Sequence, residues 1–246
     1  MKTLPRIFCI LCECKSAGNM GAVARAIKNM GLDGLILVRP NRERWLEAIK
    51  MAPGAEEILE EARIYHCLEE AISDMHYVIG TTKRIRKYRT EVLTPFEVMT
   101  QIIGLPADHN LAILFGSERT GLTNHELSFC QRVVVIPTSK ALSSINLAQA
   151  VMIMAYEWHM ASERTQDKKR DLKRKLAGSD QRQRLMDHTE VVLRRIGFLK
   201  DQSGHIRLTL IDMLSRLDLT EREVALLRGI LRQVEYCLGK KGPEDG

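Results

Sequence analysis

Short apolar runs alternate along this chain with segments in which apolar residues recur every three or four positions. The runs at 7–11, 35–38, 63–67, 77–80, 111–115 and 133–136 are too short for helices and match buried strands. Between them, helical periodicity is carried by 19–31, 43–50, 68–74, 95–103, 123–130 and 147–160. Near-continuous apolar strands separated by helices predict an α/β domain, with a mostly parallel sheet covered by helices on both faces. On the first helix Met20, Val23, Ile27 and Met30 share one face, which turns Arg25 to the opposite, solvent side. The helix after Asn146 differs, because Leu147, Val151, Met152, Ile153, Met154 and Tyr156 make it apolar on nearly every side. That pattern fits a core or a subunit interface.

From 161 to 183 the apolar stripe fails and Gly178-Ser179 interrupts the pattern, which predicts a linker. Helices near 184–196, 205–216 and 221–238 follow, the last opening on the capping box Thr220-Glu221-Arg222-Glu223. The predicted organisation is a domain over 1–163, a basic linker over 164–183 and a small helical extension over 184–246. Charge follows the same division. Residues 1–160 hold 18 Lys/Arg and 17 Asp/Glu, whereas 161–246 hold 19 and 14, so the tail carries most of the net charge of +6. Nine basic and three acidic residues over 164–184 fit a polyanion partner, and a solvated linker helix is the alternative. The run behind Lys2 and Arg6 is too short for a signal segment and no transmembrane span is seen, so a soluble, cytoplasmic protein is expected.

Six cysteines include Cys9, Cys12 and Cys14, a spacing that invites a metal reading. Strand alternation points Cys9 and Cys12 to opposite faces and no second Cys/His pair accompanies them, so reduced thiols and no metal are expected.

Three polar segments, two of them glycine-bearing, each follow a predicted strand, the position where open α/β sheets hold ligands. They are Asn19 to Arg25, Phe115 to Leu122, and Ile136-Pro137 leading to Ser143-Ser144-Ile145-Asn146. Gly116 and Gly121 permit left-handed backbone or the close approach of a ligand to the main chain. Neither a dinucleotide G-x-G-x-x-G turn nor a Walker lysine is present, which argues against a nicotinamide oxidoreductase. In order and composition these segments resemble the SPOUT superfamily of RNA methyltransferases in its ribose 2′-O-methylating branch. Its motifs read N-x-G-x-x-x-R, F-G-x-E-x-x-G-L and I-P followed by S-S-L-N; Ile145 stands where leucine is usual.

The resemblance covers roughly 5–160 and implies a C-terminal trefoil knot that forms the pocket for S-adenosylmethionine. Ordinary rules of chain connection would not produce it. It also implies a homodimer acting on RNA. With Gly80-Thr81-Thr82 and the helical extension, the nearest resemblance is to bacterial enzymes that methylate cytidine or uridine at tRNA position 32. Ribosomal RNA is the alternative substrate, and a non-catalytic RNA-binding module the alternative class. The residues implied for the cofactor are Thr81, Thr82 and Lys83; Gly116, Ser117 and Glu118; and Ile136, Ser143, Ser144 and Ile145. Those implied for catalysis are Arg25, Asn19, Ser144 and Asn146. Glu118 is expected to pin its loop through backbone amides more than to act as a base. The run from Lys83 to Arg89 places Arg84, Arg86, Lys87 and Arg89 around Tyr88, which suits a looped RNA strand.

Overall fold

The computed structural model describes residues 4–83, 92–165, 175–200 and 204–240. Arg84, Arg86, Lys87 and Arg89 lie outside them. In chain order the first domain runs β1 (Arg6–Cys12), α1 (Ala17–Met30), β2 (Gly34–Val38), α2 (Trp45–Lys50), α3 (Glu56–Glu60), β3 (Arg63–Tyr65) and α4 (Leu68–Ala71). It continues with β4 (Tyr77–Thr81), α5 (Pro95–Ile102), β5 (Asn110–Phe115), α6 (Asn124–Ser128), β6 (Arg132–Val134) and α7 (Leu147–Thr165). The six strands form one sheet in the order β3-β2-β1-β5-β4-β6, and every neighbouring pair is parallel.

Alternation along the strands builds two cores. Ile7, Cys9 and Leu11 of β1 meet Met20, Val23 and Ile27 of α1 and Val151, Met154 and Trp158 of α7 on one face. Phe8, Ile10 and Cys12 meet Leu68 of α4 and Leu127 of α6 on the other. Cys9 and Cys12 therefore belong to different cores, as the period of two predicts. Because all strands are parallel, the loops after β1, β4, β5 and β6 emerge at one edge. The strand order reverses direction between β1 and β5, the crevice where ligands enter such sheets.

Three elements depart from the sequence reading. First, α1 begins at Ala17, capped by Ser16, whose Oγ accepts from the Asn19 N–H at 3.2 Å. The turn before it is made by Glu13 at φ 55°, a residue type that does not announce a left-handed backbone. Second, α3 is an addition, because five residues with one apolar pair carry too little periodicity to signal a helix. Third, the first helix of the extension begins at Ser179.

That extension comprises α8 (Ser179–Arg195), α9 (Gly204–Ser215) and α10 (Glu221–Lys240), with Ala177, Leu185 and Val224 buried between them. It is anchored to the edge of the sheet opposite the loops. Ser179 donates through its N–H and Oγ to Met75 O at 2.6 and 2.7 Å, and Arg182 donates to His76 O at 2.6 Å and to Ser179 Oγ at 2.8 Å. Arg132 reaches Asp218 at 3.1 Å. Arg182, by its position a member of the basic run, is 7% exposed, and burial pushes its pKa down to about 10. It remains charged at neutral pH but serves the anchor, not a polyanion.

The same seam holds two imidazoles, His76 and His109, with centroids 4.4 Å apart and planes tilted by 34°. Asn110 N–H donates to His76 Nδ1 at 3.1 Å, and Leu176 N–H to His109 Nε2 at 2.8 Å while His109 Nδ1 faces Asp108. An imidazole nitrogen accepts only when unprotonated. Burial first, then His109, lowers the pKa of His76. A folded-state pKa below the unfolded value of about 6.5 means that stability is complete above that pH and falls as pH drops through it. Denaturant titrations between about pH 7.5 and 5.5 should show this loss, and His76→Asn should shrink it; an unchanged slope would remove the seam from the account.

Candidate active site

The loops at the C-terminal edge of the sheet enclose a cavity of about 450 Å³, within the size range of small-molecule sites. Each wall has a local cause. At the end of β4, Thr81 Oγ1 donates to Leu114 O at 2.8 Å and Thr82 N–H to Val134 O at 2.9 Å, which leads the chain over β5 and β6 toward Lys83. After β5, the loop from Gly116 to Gly121 closes on itself. Gly121 N–H donates to Ser117 O at 2.9 Å with Gly121 at φ 66°, and the Ser117 and Thr120 hydroxyls lie 2.7 Å apart. A Cβ on Gly116 would stand 2.0 Å from Gly121 C and 2.1 Å from Leu122 N. Close approach at Gly116 is therefore of chain to chain, whereas the sequence reading allows for a ligand there. From β6 the chain passes Ile136 and Ser143 to Ile145 before Asn146 caps α7, its Oδ1 accepting from Ala148 N–H at 2.9 Å.

All ten residues expected at the cofactor line this cavity: Thr81, Thr82 and Lys83; Gly116, Ser117 and Glu118; Ile136, Ser143, Ser144 and Ile145. Asn19 and Asn146 line it as well. Phe115, Arg119, Thr120 and Gly121 of the same β5 loop and Leu147 of α7 also line it, and Val134 and Ala150 complete the wall unannounced, since neither spacing nor residue type separates them from strand and helix neighbours. Arg25 is not among the lining residues. It is exposed on α1, as its periodicity predicts, while Met20, Val23 and Ile27 are buried.

Glu118 joins the loops. Its Oε1 accepts from Asn19 Nδ2 at 3.0 Å, Ser16 N–H at 3.2 Å and the Cys14 thiol at 3.4 Å, and its Oε2 from Lys15 N–H at 3.4 Å. It thus pins the β1–α1 loop across the crevice, where the sequence reading has it bracing its own. An ionised carboxylate only accepts, so Asn19 must turn its Nδ2 to Glu118 and its Oδ1 outward. That oxygen accepts from Asn146 Nδ2 at 3.0 Å, and Asn146 in turn must offer Oδ1 to the start of α7. One carboxylate and one helix terminus therefore orient both amides. Partial burial raises the Glu118 pKa, but the bonds from Asn19, its own loop's backbone, Ser16 and Cys14 outweigh it and hold the carboxyl below its ordinary range. Burial first, then the Glu118 charge, holds the Cys14 thiol protonated and donating.

A chamber of this shape, bordered by main-chain groups, hydroxyls and Lys83, suits a nucleoside-sized ligand. Comparison with known proteins gives the family. Residues 6–156 match the SpoU rRNA Methylase family, and residues 180–244 match the C-terminal domain of the tRNA methyltransferase TrmJ. The tRNA (cytidine/uridine/adenosine-2′-O-)-methyltransferase TrmJ of Pseudomonas aeruginosa is 36% identical over 243 residues, covering 94% of this chain and 95% of that protein. The crystal structure of TrmJ from Z. mobilis ZM4 superposes with a TM-score of 0.80 at 32% identity, over 94% of this chain and 99% of that one. The fold is also that of the SpoU methyltransferase AviRb from Streptomyces viridochromogenes, solved with its cofactor AdoMet (TM-score 0.52, 19% identity, 66% and 62% covered). The chain belongs to the SpoU methylase family and, within it, to the TrmJ branch.

Proposed function

We propose that this protein transfers the methyl group of S-adenosylmethionine to a ribose 2′-hydroxyl of tRNA, at cytidine or uridine 32 of the anticodon loop. The observation that carries the reading is the convergence on one cavity of the loops after β4, β5 and β6, with Asn19 and Asn146 coupled at its mouth. We propose that these loops form the trefoil knot. The domain over 1–163 performs the chemistry, and the linker over 164–183 and the extension over 184–246 engage RNA, with α8 starting inside that linker at Ser179.

The fit to the cofactor rests on the wall itself. Thr81 to Lys83, Gly116 to Glu118, Ile136 and Ser143 to Ile145 all line the cavity, and we propose that their main chain reads the adenine and ribose. S-adenosylmethionine supplies an already electrophilic methyl on a sulfonium, so no metal is required and positioning dominates. Glu118 already accepts four donors and is held ionised, so we assign it to orientation and not to proton removal. Asn19, Ser144 and Asn146 orient the ribose. Arg25 stabilises the forming alkoxide and binds the adjacent phosphate, a task for a planar cationic fork.

Because Arg25 stands outside the cavity of its own chain, we propose that it acts across a homodimer. Support comes from α7, which packs against α1 yet leaves Ile153 half-buried and Tyr156 48% exposed. A second copy covering that face accounts for the all-round apolar sequence. We further propose a cytoplasmic location, in keeping with a tRNA substrate.

Lys83 sits at the cavity wall where the basic run begins. We propose that Arg84, Arg86, Lys87 and Arg89 bind the phosphates of the substrate loop. Substituting Arg84 or Arg86 should then flatten the plot of log affinity against log salt by about 0.7 for each phosphate no longer neutralised, and an unchanged slope would remove the run from the interface.

Ribosomal RNA is the second reading, favoured by the match of residues 6–156 to the SpoU rRNA Methylase family; the TrmJ-type C-terminal domain favours tRNA. Calorimetry with S-adenosylmethionine and NAD, followed by label transfer to tRNA and ribosomal RNA, tests both. Binding of the first cofactor alone and label in tRNA are expected. Label in ribosomal RNA alone moves the substrate, and absence of S-adenosylmethionine binding overturns the function.

A further inference from the structure

We propose that Arg39 is a positioning residue for methyl transfer, acting through Glu13 on the loop that carries Cys14 to Ser16, and thereby on Glu118 and Asn19. The inference rests on the function proposed above and adds to it residues remote from the cavity.

Glu13 and Arg39 are the two non-glycine residues with positive φ among those described, at 55° and 48°. They stand directly after β1 and β2, which pair with Cys12 beside Val38. A side chain with a Cβ is disfavoured in the left-handed region, and neither glutamate nor arginine is among the residues that visit it readily. Such strain survives only where the surroundings over-determine it, and it concentrates at functional sites.

The over-determination is visible atom by atom. Glu13 N–H donates to Val38 O at 2.8 Å and Arg39 N–H to Tyr65 O at 3.1 Å. Arg39 Nε and Nη2 both donate to Glu13 Oε1, at 3.1 and 3.0 Å, and Nη1 donates to His66 O at 3.3 Å. One guanidinium thus ties together the ends of β1, β2 and β3. A second tie follows, from Asn41 N–H to Cys14 O at 3.1 Å.

The left-handed Glu13 reverses the chain so that the Cys14 thiol and the N–H groups of Lys15 and Ser16 converge on the Glu118 carboxylate. Successive amides after a left-handed residue form a concavity for an anion, and here the anion is a side chain from β5's loop. From Glu118 the constraint passes to Asn19 and Asn146. The Arg39 and Glu13 side chains are 46% and 47% exposed, and an ion pair so exposed adds little stability. Holding a strained backbone for stability alone is therefore a poor account of the clasp; holding a catalytic loop is a better one.

The test uses the full chain and four variants. Arg39→Asn places a residue comfortable in the left-handed region and removes the guanidinium. Glu13→Ala removes the acceptor, while Glu13→Gln keeps an oxygen for Arg39. Arg44→Gln, the control, deletes an equally exposed pair with Glu47 at 2.8 and 2.9 Å. Melting temperature, S-adenosylmethionine affinity, kcat and KM for tRNA, and the side-chain amide resonances of Asn19 and Asn146 are measured. For Arg39→Asn and Glu13→Ala we expect a kept melting temperature, cofactor affinity and KM, and a kcat lowered roughly tenfold to a hundredfold. Both amides should shift although neither touches residue 39. Glu13→Gln and Arg44→Gln should stay close to the wild type.

An undiminished kcat with unshifted amides overturns the proposal, as does a kcat loss without an amide shift or one explained by a lowered melting temperature. If the wild type methylates no RNA, the proposed function fails and the amide shifts alone decide the clasp.

Discussion

Gly116→Ala should lower S-adenosylmethionine affinity at least about 100-fold, or about 2.7 kcal/mol, and abolish methyl transfer. The added Cβ would fall 2.0 Å from Gly121 C, 2.1 Å from Leu122 N and 2.4 Å from Gly121 O. All three are backbone atoms of the same loop, so no side chain is free to swing aside. The loop must open, which breaks the bond from Gly121 N–H to Ser117 O and removes the wall that Gly116 to Glu118 give the cavity. Gly121→Ala is the internal comparison. Nothing lies within 4 Å of its Cβ, so the substitution meets only the strain of φ 66°, about 1–2 kcal/mol. Calorimetry on the two variants separates the causes. Near-normal binding by Gly116→Ala would show that the loop is not part of the cofactor wall.

If Arg25 acts as proposed, on charge that develops in the reaction and without lining the cavity, Arg25→Ala should reduce the rate of methyl transfer about 10²- to 10³-fold with little change in cofactor affinity. Arg25→Lys should fail almost as badly, since an ammonium cannot hold alkoxide and phosphate with one planar fork. The dimer reading predicts more. Copies carrying Arg25→Ala and copies carrying Asn146→Ala should each be nearly inactive alone. If Arg25 works across the interface, a mixed dimer keeps one intact site, and random pairing should restore about a quarter of the wild-type activity. No recovery would place Arg25 and Asn146 in the same chain's site and remove this support for a homodimer.

Much of the site is legible in the sequence because its residues make demands that their types announce. Gly121 asks for a left-handed turn, Asn146 for a helix start, and the period of 3.6 presents Arg25 while it buries Met20 and Val23. The period of two likewise separates Cys9 from Cys12. What stays hidden depends on contacts between distant positions. Glu118 meets Ser16 and Asn19 across 102 and 99 positions, so no local pattern shows that it braces another loop. Glu13 turns the chain without being a turn residue, so the pattern alone starts the helix at Asn19, three residues beyond the cap that Ser16 provides. Arg182 looks like one more cation in a charged run until the edge of the sheet is folded against it.

The most direct test of the central claim is to map the methyl group. Unmodified tRNA transcripts are incubated with the protein and methyl-labelled S-adenosylmethionine, digested with nucleases and read by mass spectrometry. The account predicts a 2′-O-methylated cytidine or uridine at position 32, absent with Arg25→Ala. A methyl on a base, or no label in any tRNA while the cofactor binds, would contradict it.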